Sequence, residues 1–285
     1  MRFIFSTGSL YTYGIDRCFE LAGRAGFDGM ELMVDGRWDT RQPEYLLRLI
    51  ERHGLPIIAV HTPLETGATP GWPDDAPGRL CETVALAEAL GAEAAVHHLP
   101  LRFRTYWLIA GRYRLPIPLP GRDPYQRWLL DGYATLQAAT SVTLCIENMP
   151  AFRLFGLRLN LQRWNRPAEI VRFPALTLDT THCGTWGWDP VEVYAQLRGQ
   201  VRHVHLSNFD GKEHRRPEAG PLRLDRLLAR LAADGYAGAV SIELSPDALD
   251  AGKSDAEIAA HLGGSLAYCR AAVSGYSVYT EVLTS

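Results

Sequence analysis

ALTLDTTH, residues 175–182, runs apolar and β-branched up to Asp179 and then breaks into polar residues. Three other stretches repeat the pattern: VTLCIEN at 142–148, VRHVHLSN at 201–208 and AVSIELS at 239–245. Each reads as a strand buried on both faces. Each ends on a charged or ionisable group: Glu147, Asp179, His205 and Glu243. A charge at the end of such a strand costs several kcal/mol of desolvation unless it is paired or bound to metal. Four at equivalent places in successive strand–helix units point to one shared site. Two Glu, one Asp and one His form a hard, mixed oxygen and nitrogen ligand set suited to a divalent ion such as Mn²⁺, Co²⁺, Mg²⁺ or Zn²⁺.

Outward from these runs the chain alternates strand and helix throughout. Strands are predicted at 3–6, 27–32, 56–60, 93–96, 142–146, 175–178, 201–206 and 239–244. Helices are predicted between them, with Gly26, Gly54 and Gly91 as stops and Asp189-Pro190 and Ser254 as starts. Eight alternations within 285 residues predict a closed (β/α)₈ barrel, an α/β fold in one domain spanning residues 1–285. The competing doubly wound sheet usually carries a GxGxxG turn after an early strand, and this sequence has none. The rhythm is interrupted at about 99–124 by an irregular insertion rich in Arg and aromatic residues.

The composition narrows the function classes. No run of 18 apolar residues exists, so no membrane partner is expected, and the first residues do not read as a secretory signal. Five scattered cysteines without CxxC spacing read as reduced thiols of a cytoplasmic protein. The net charge of −3 hides an asymmetry: residues 99–172 hold eleven Arg against Asp123, Asp131, Glu147 and Glu169, which is +7. Such a stretch suits a small anionic substrate and equally the backbone of DNA. Its Arg and aromatic residues would equally suit a homo-oligomer interface.

In such barrels the strand ends and the loops after them build the active site. Two further strands end on imidazoles there, at His61 and at His97-His98, with His97 the more direct continuation of its strand. His182 follows Asp179 by three residues, and His214 lies in the loop after the seventh strand. Trp186 and Trp188 are expected either to line the mouth or to pack under their loop.

The motifs IEN (146–148), LDTTH (178–182), HVHLSN (203–208) and IEL (242–244) resemble those of the xylose isomerase-like TIM barrels. That superfamily joins sugar isomerases and epimerases to the family 2 apurinic/apyrimidinic endonucleases. The resemblance implies that Glu147, Asp179, His205 and Glu243 bind one catalytic divalent ion. In the isomerase branch it implies that Glu147 and Glu243 are acid and base on a polyhydroxy carbonyl substrate, and His182 would hold a sugar hydroxyl. The endonuclease branch implies added metal ligands at His61, His97, His182 and His214. Its pattern is broken twice: Lys212 stands where that family has an Asp ligand, and Leu64 where it wedges a Tyr into DNA.

Overall fold

The structure, a computed structural model, describes residues 1–64, 69–110 and 113–283. Eight strands close a parallel barrel in which each neighbours the next along the chain. They are β1 (Arg2–Ser6), β2 (Gly29–Met33), β3 (Ile57–His61), β4 (Ala94–His98), β7 (Thr143–Glu147), β10 (Leu176–Asp179), β11 (Val201–Leu206) and β12 (Ala239–Ile242). Helices α1 (Ile15–Ala25), α2 (Pro43–His53) and α3 (Ala76–Leu90) follow the first three strands, and α4 (Pro124–Asp131) with α5 (Tyr133–Ala138) the fourth. The later strands are followed by α6 (Pro167–Ile170), by α7 (Thr180–Trp186) with α8 (Pro190–Leu197), by α9 (Leu224–Ala233) and by α10 (Asp255–Leu283).

The helix boundaries follow from local chemistry. Asp189 accepts from the Val191 amide and Pro190, which has no N–H, opens α8, so two of the amide positions without a helical partner at its start are accounted for. Ser254 and Glu257 exchange bonds at the start of α10, since Glu257 accepts from the Ser254 amide and Ser254 Oγ accepts from the Glu257 amide. Gly91 ends α3 at φ 68°, in the left-handed region where a side chain would be strained.

The insertion is not irregular. Arg104–Ala110 (β5) and Tyr113–Leu119 (β6) pair antiparallel as a hairpin, while residues 111 and 112 of the insertion lie outside the described residues. The runs RTYWLIA and YRLPIPL are β-favouring, and Pro116 and Pro118 share one parity, so their missing N–H groups fall on one edge of the ribbon. A smaller hairpin, β8 (Phe152–Leu154) with β9 (Leu157–Leu159), follows β7. The helical segment between β4 and β7 is interrupted at Gly132, where an added Cβ would meet the Trp128 ring at 2.8 Å.

Side chains alternate across a strand, so residues two apart share the barrel interior. On that inward face β3, β4, β7, β10 and β12 pass from small or apolar to polar. Val96 precedes His98, Cys145 precedes Glu147, Ala59 precedes His61, Ala175 leads through Thr177 to Asp179, and Ala239 through Ser241 to Glu243. The lower residues, with Ile4 and Ile58, form an apolar plug inside the barrel. The outward residues pack against the helices in the larger cluster, among them Phe5, Leu32, Val60, Ile146 and Leu178. Full burial of each such large side chain stabilises by about 1.5–3 kcal/mol. The plug closes one end, and the polar layer opens at the other.

Candidate metal centre

Glu147, Asp179, His205 and Glu243 each offer a ligand atom, and these atoms lie within 4.8 Å of one another. Strand register brings them together: Asp179 is paired with His205, and His205 with Ser241, two residues before Glu243. Nδ1 of His205 lies 3.0 Å from Glu147 Oε1, 3.1 Å from Glu243 Oε2 and 3.7 Å from Asp179 Oδ2. Asp179 Oδ1 accepts from the His182 amide at 2.7 Å and so caps α7. Its Oδ2 is buried and has no hydrogen-bond partner.

The charges around this point are out of balance. Burial opposes ionisation of His205, yet Glu31, Glu243 and Glu147 outweigh it and hold the imidazole well above its usual range. Burial likewise opposes the Glu147 carboxylate, but His205, His61 and His98 hold it well below. Asp179 has no such surplus: burial and the Glu147 charge push its carboxyl well above the carboxylate range. A divalent cation among these oxygens would satisfy the lone Oδ2 and remove the repulsion that Asp179 experiences. The donor set and the orphaned oxygen therefore fit such an ion.

Further imidazoles surround the same carboxylate. His61 Nε2 lies 3.3 Å and His98 Nε2 3.2 Å from Glu147 Oε2. The register pairs His98 with Glu147, which sets both on the inward face. His97, expected as the ligand of this strand, points the other way. Its Nδ1 lies 2.6 Å from the Tyr125 hydroxyl, and its ring packs 5.8 Å from Tyr133. Burial, reinforced by His98 and His61, lowers its basicity to a pKa of about 3. A one-residue step reverses the face of a strand, so the residue that best continued the strand faces away from the centre.

His182 places Nδ1 2.7 Å from the Asn148 carbonyl and 3.5 Å from Glu147 Oε1. Its ring meets His214 edge-on at 5.9 Å, and Glu213 joins these two in a second compact group of ligand atoms. Lys212 instead projects into solvent, 3.9 Å from Asp247 and 75% exposed. Leu64 is exposed at the rim.

Two residues absent from the expected site lie directly beneath it. Glu31 on β2 is fully buried and contacts both His203 and His205. Their signals were present: one acid inside the apolar run GMELM, and a histidine two residues before His205, hence on the same face. Burial opposes the Glu31 charge, but His205 and His203 hold the carboxyl well below its usual range.

An open cavity of about 890 Å³ is lined by His61, His98, Glu147, His182, His214 and Glu243 among others. Its size suits a small molecule. Trp186 and Trp188 stack at 5.2 Å beside a separate cavity, and Trp186 Nε1 donates to the Met149 carbonyl. Much of the Arg-rich surface is already engaged. Arg102 donates to the Asn160 carbonyl, Arg158 to the Trp186 carbonyl, and Arg153 lies over the Phe209 ring.

Comparison with known proteins agrees with the barrel fold. A family model described as xylose isomerase-like TIM barrel matches residues 19–266. An uncharacterized protein of Mycobacterium leprae is 29% identical over 262 residues, covering 84% of this chain and 87% of its own length. Among solved structures, an L-ribulose 3-epimerase superposes with a TM-score of 0.69 at 18% identity, covering 100% of this chain and 98% of its own. A family 2 AP endonuclease from Brucella melitensis superposes at 0.62 with 19% identity, covering 90% and 97%. At such identities the superpositions establish the fold.

Proposed function

The chain belongs to the xylose isomerase-like TIM barrel family, and from that membership and the geometry of its barrel mouth we propose that it is a divalent-metal-dependent isomerase or epimerase of a sugar, sugar acid or sugar phosphate. The observation that carries this reading is the convergence of Glu147, Asp179, His205 and Glu243, of which Glu147 and Glu243 line a cavity of small-molecule size. Proton transfer beside a carbonyl needs a base, an acid and a means of stabilising an enediolate oxygen. A bound divalent ion supplies Lewis acidity at that oxygen. Glu147 and Glu243 exchange the proton with the carbon. Glu243, with 14% of its side chain exposed against 2% for Glu147, has the freer access to substrate and solvent. His182, held by the Asn148 carbonyl, orients a substrate hydroxyl.

A second reading, a phosphodiesterase of the abasic-site endonuclease type, is favoured by one observation: His61 and His98 beside Glu147, with Glu213 beside His182 and His214, supply ligand groups for more than one ion. The exposed Leu64 and Lys212 weigh against it. Elemental analysis of the purified chain, combined with deuterium incorporation from heavy water into ketoses, tests the choice. One tightly held ion and exchange beside the carbonyl are expected. Three ions with strand scission at an abasic site, and no exchange into any sugar, would overturn the isomerase reading.

A further inference from the structure

Resting on the metal reading above, we infer that Glu31 is a positioning residue: it fixes the Nε2–H tautomer of His205 and so aims the Nδ1 lone pair at the metal position. Glu31 stands on β2, the width of two intervening strands away from β11. The partner position on β1 is Ser6, and the one beside His205 on β12 is Ser241, so small side chains leave its path clear. Its Oε1 lies 2.9 Å from His205 Nε2 and its Oε2 lies 3.0 Å from His203 Nε2. An ionised carboxylate only accepts, so both imidazole nitrogens facing it carry hydrogen. A neutral His205 then has its lone pair on Nδ1, the atom 3.0 Å from Glu147 and 3.1 Å from Glu243.

His203 completes the device. Its ring is nearly perpendicular to that of His205, at 87° and 5.2 Å between centroids. Two donors in crossed planes, one on each oxygen, prevent the carboxylate from turning about its terminal bond. The outer partner of a metal-bound histidine sets both its tautomer and its orientation. Glu31, His203 and His205 could in principle hold an ion of their own, since their ligand atoms also cluster. That arrangement would require His205 to give up the Nε2 proton and bridge two cations in a place fully closed to solvent. The hydrogen-bonded arrangement needs neither.

The test is a long-range ¹H–¹⁵N correlation spectrum of the histidine-labelled chain loaded with Zn²⁺. His205 is expected to carry its proton on Nε2 and the metal-induced shift on Nδ1. A proton on Nδ1, or metal shifts on both nitrogens, overturns the assignment. Glu31→Gln supplies the second readout, because an amide turns a donor toward one of the two imidazoles. Zn²⁺ affinity by chelator competition is expected to fall ~10–100-fold, with His205 losing its single tautomer. An unchanged affinity accompanied by a lower melting temperature of the metal-free variant would mean that Glu31 serves packing alone. If the variant does not fold, the wild-type spectrum still decides. If the wild-type chain binds no metal, the metal reading itself fails, a separate outcome.

Discussion

Replacing Asp179 by Asn should make the metal-free protein more stable while abolishing its response to metal. Asn keeps the oxygen that caps α7 through the His182 amide, and Asn is as good a cap as Asp. What changes is the charge at the unpartnered Oδ2. With an effective dielectric of about 20, each neighbouring carboxylate within 4.8 Å repels Asp179 by about 3.5 kcal/mol or more, and the His205 imidazolium at 3.7 Å attracts it by about 4.5 kcal/mol. The two repulsions less that attraction leave about 2.5 kcal/mol unfavourable, which His214 and proton uptake partly relieve. The expected gain is therefore about 1–2.5 kcal/mol. For 285 residues, at an unfolding entropy of about 2.1 cal/mol/K each, that is a rise of ~2–4 °C in melting temperature. The wild type should gain about 2.7 kcal/mol, or ~4–5 °C, at a metal concentration 100 times its Kd. Differential scanning calorimetry with and without metal reads both effects. A variant that melts below the wild type when metal-free, or that keeps the metal shift, would refute the repulsion argument.

Three further outcomes follow from the same geometry. The metal-free protein should lose stability as pH rises above about 6.5. His205 and Asp179 both hold protons in the fold at pH values where the unfolded chain has released them, so their contribution is full at low pH and disappears as pH rises through their raised folded values. Bound metal should flatten that slope, and melting curves across pH 6–9 check it; a metal-free chain that stabilises with rising pH would contradict the assignment. Glu243→Gln keeps a ligand oxygen but cannot exchange a proton, so deuterium exchange into a turned-over ketose should fall ~10²-fold or more with metal retained; full exchange would place the chemistry elsewhere. Turnover of a neutral sugar should respond weakly to salt between 50 and 200 mM, whereas ~10³-fold or greater loss of binding to abasic duplex DNA over that range would signal phosphate contacts and favour the nuclease reading.

The barrel was legible because its strands are nearly uniform apolar runs, and because a charge that ends such a run has few affordable fates. Runs such as LCIE and LTLD carry both signals at once. What escaped was the side of the strand on which a residue falls. His97 and His98 differ only in parity, and the pairing of His98 with Glu147 decides which one faces the centre. Glu31 and His203 lie one layer below the strand ends, so attention to terminal residues alone passes over them. The hairpin of β5 and β6 escaped for another reason. Pro116 and Pro118 weaken the strand signal of YRLPIPL, and an edge position makes them compatible with a ribbon.

The bond between Glu31 and His205 joins residues 174 apart in the chain, across the seam where β1 meets β12. Glu147, Asp179, His205 and Glu243 all come from the second half of the chain, and can gather while that seam is still open. Glu31 reaches His205 only after the first strand has met the last. Closure of such distant contacts comes late in folding, because their loop entropy must be overcome first. A metal held by a fully oriented His205 therefore belongs to the native side of the barrier. It should leave the speed of folding almost untouched and act instead as a latch, lengthening the life of the closed barrel once it has formed.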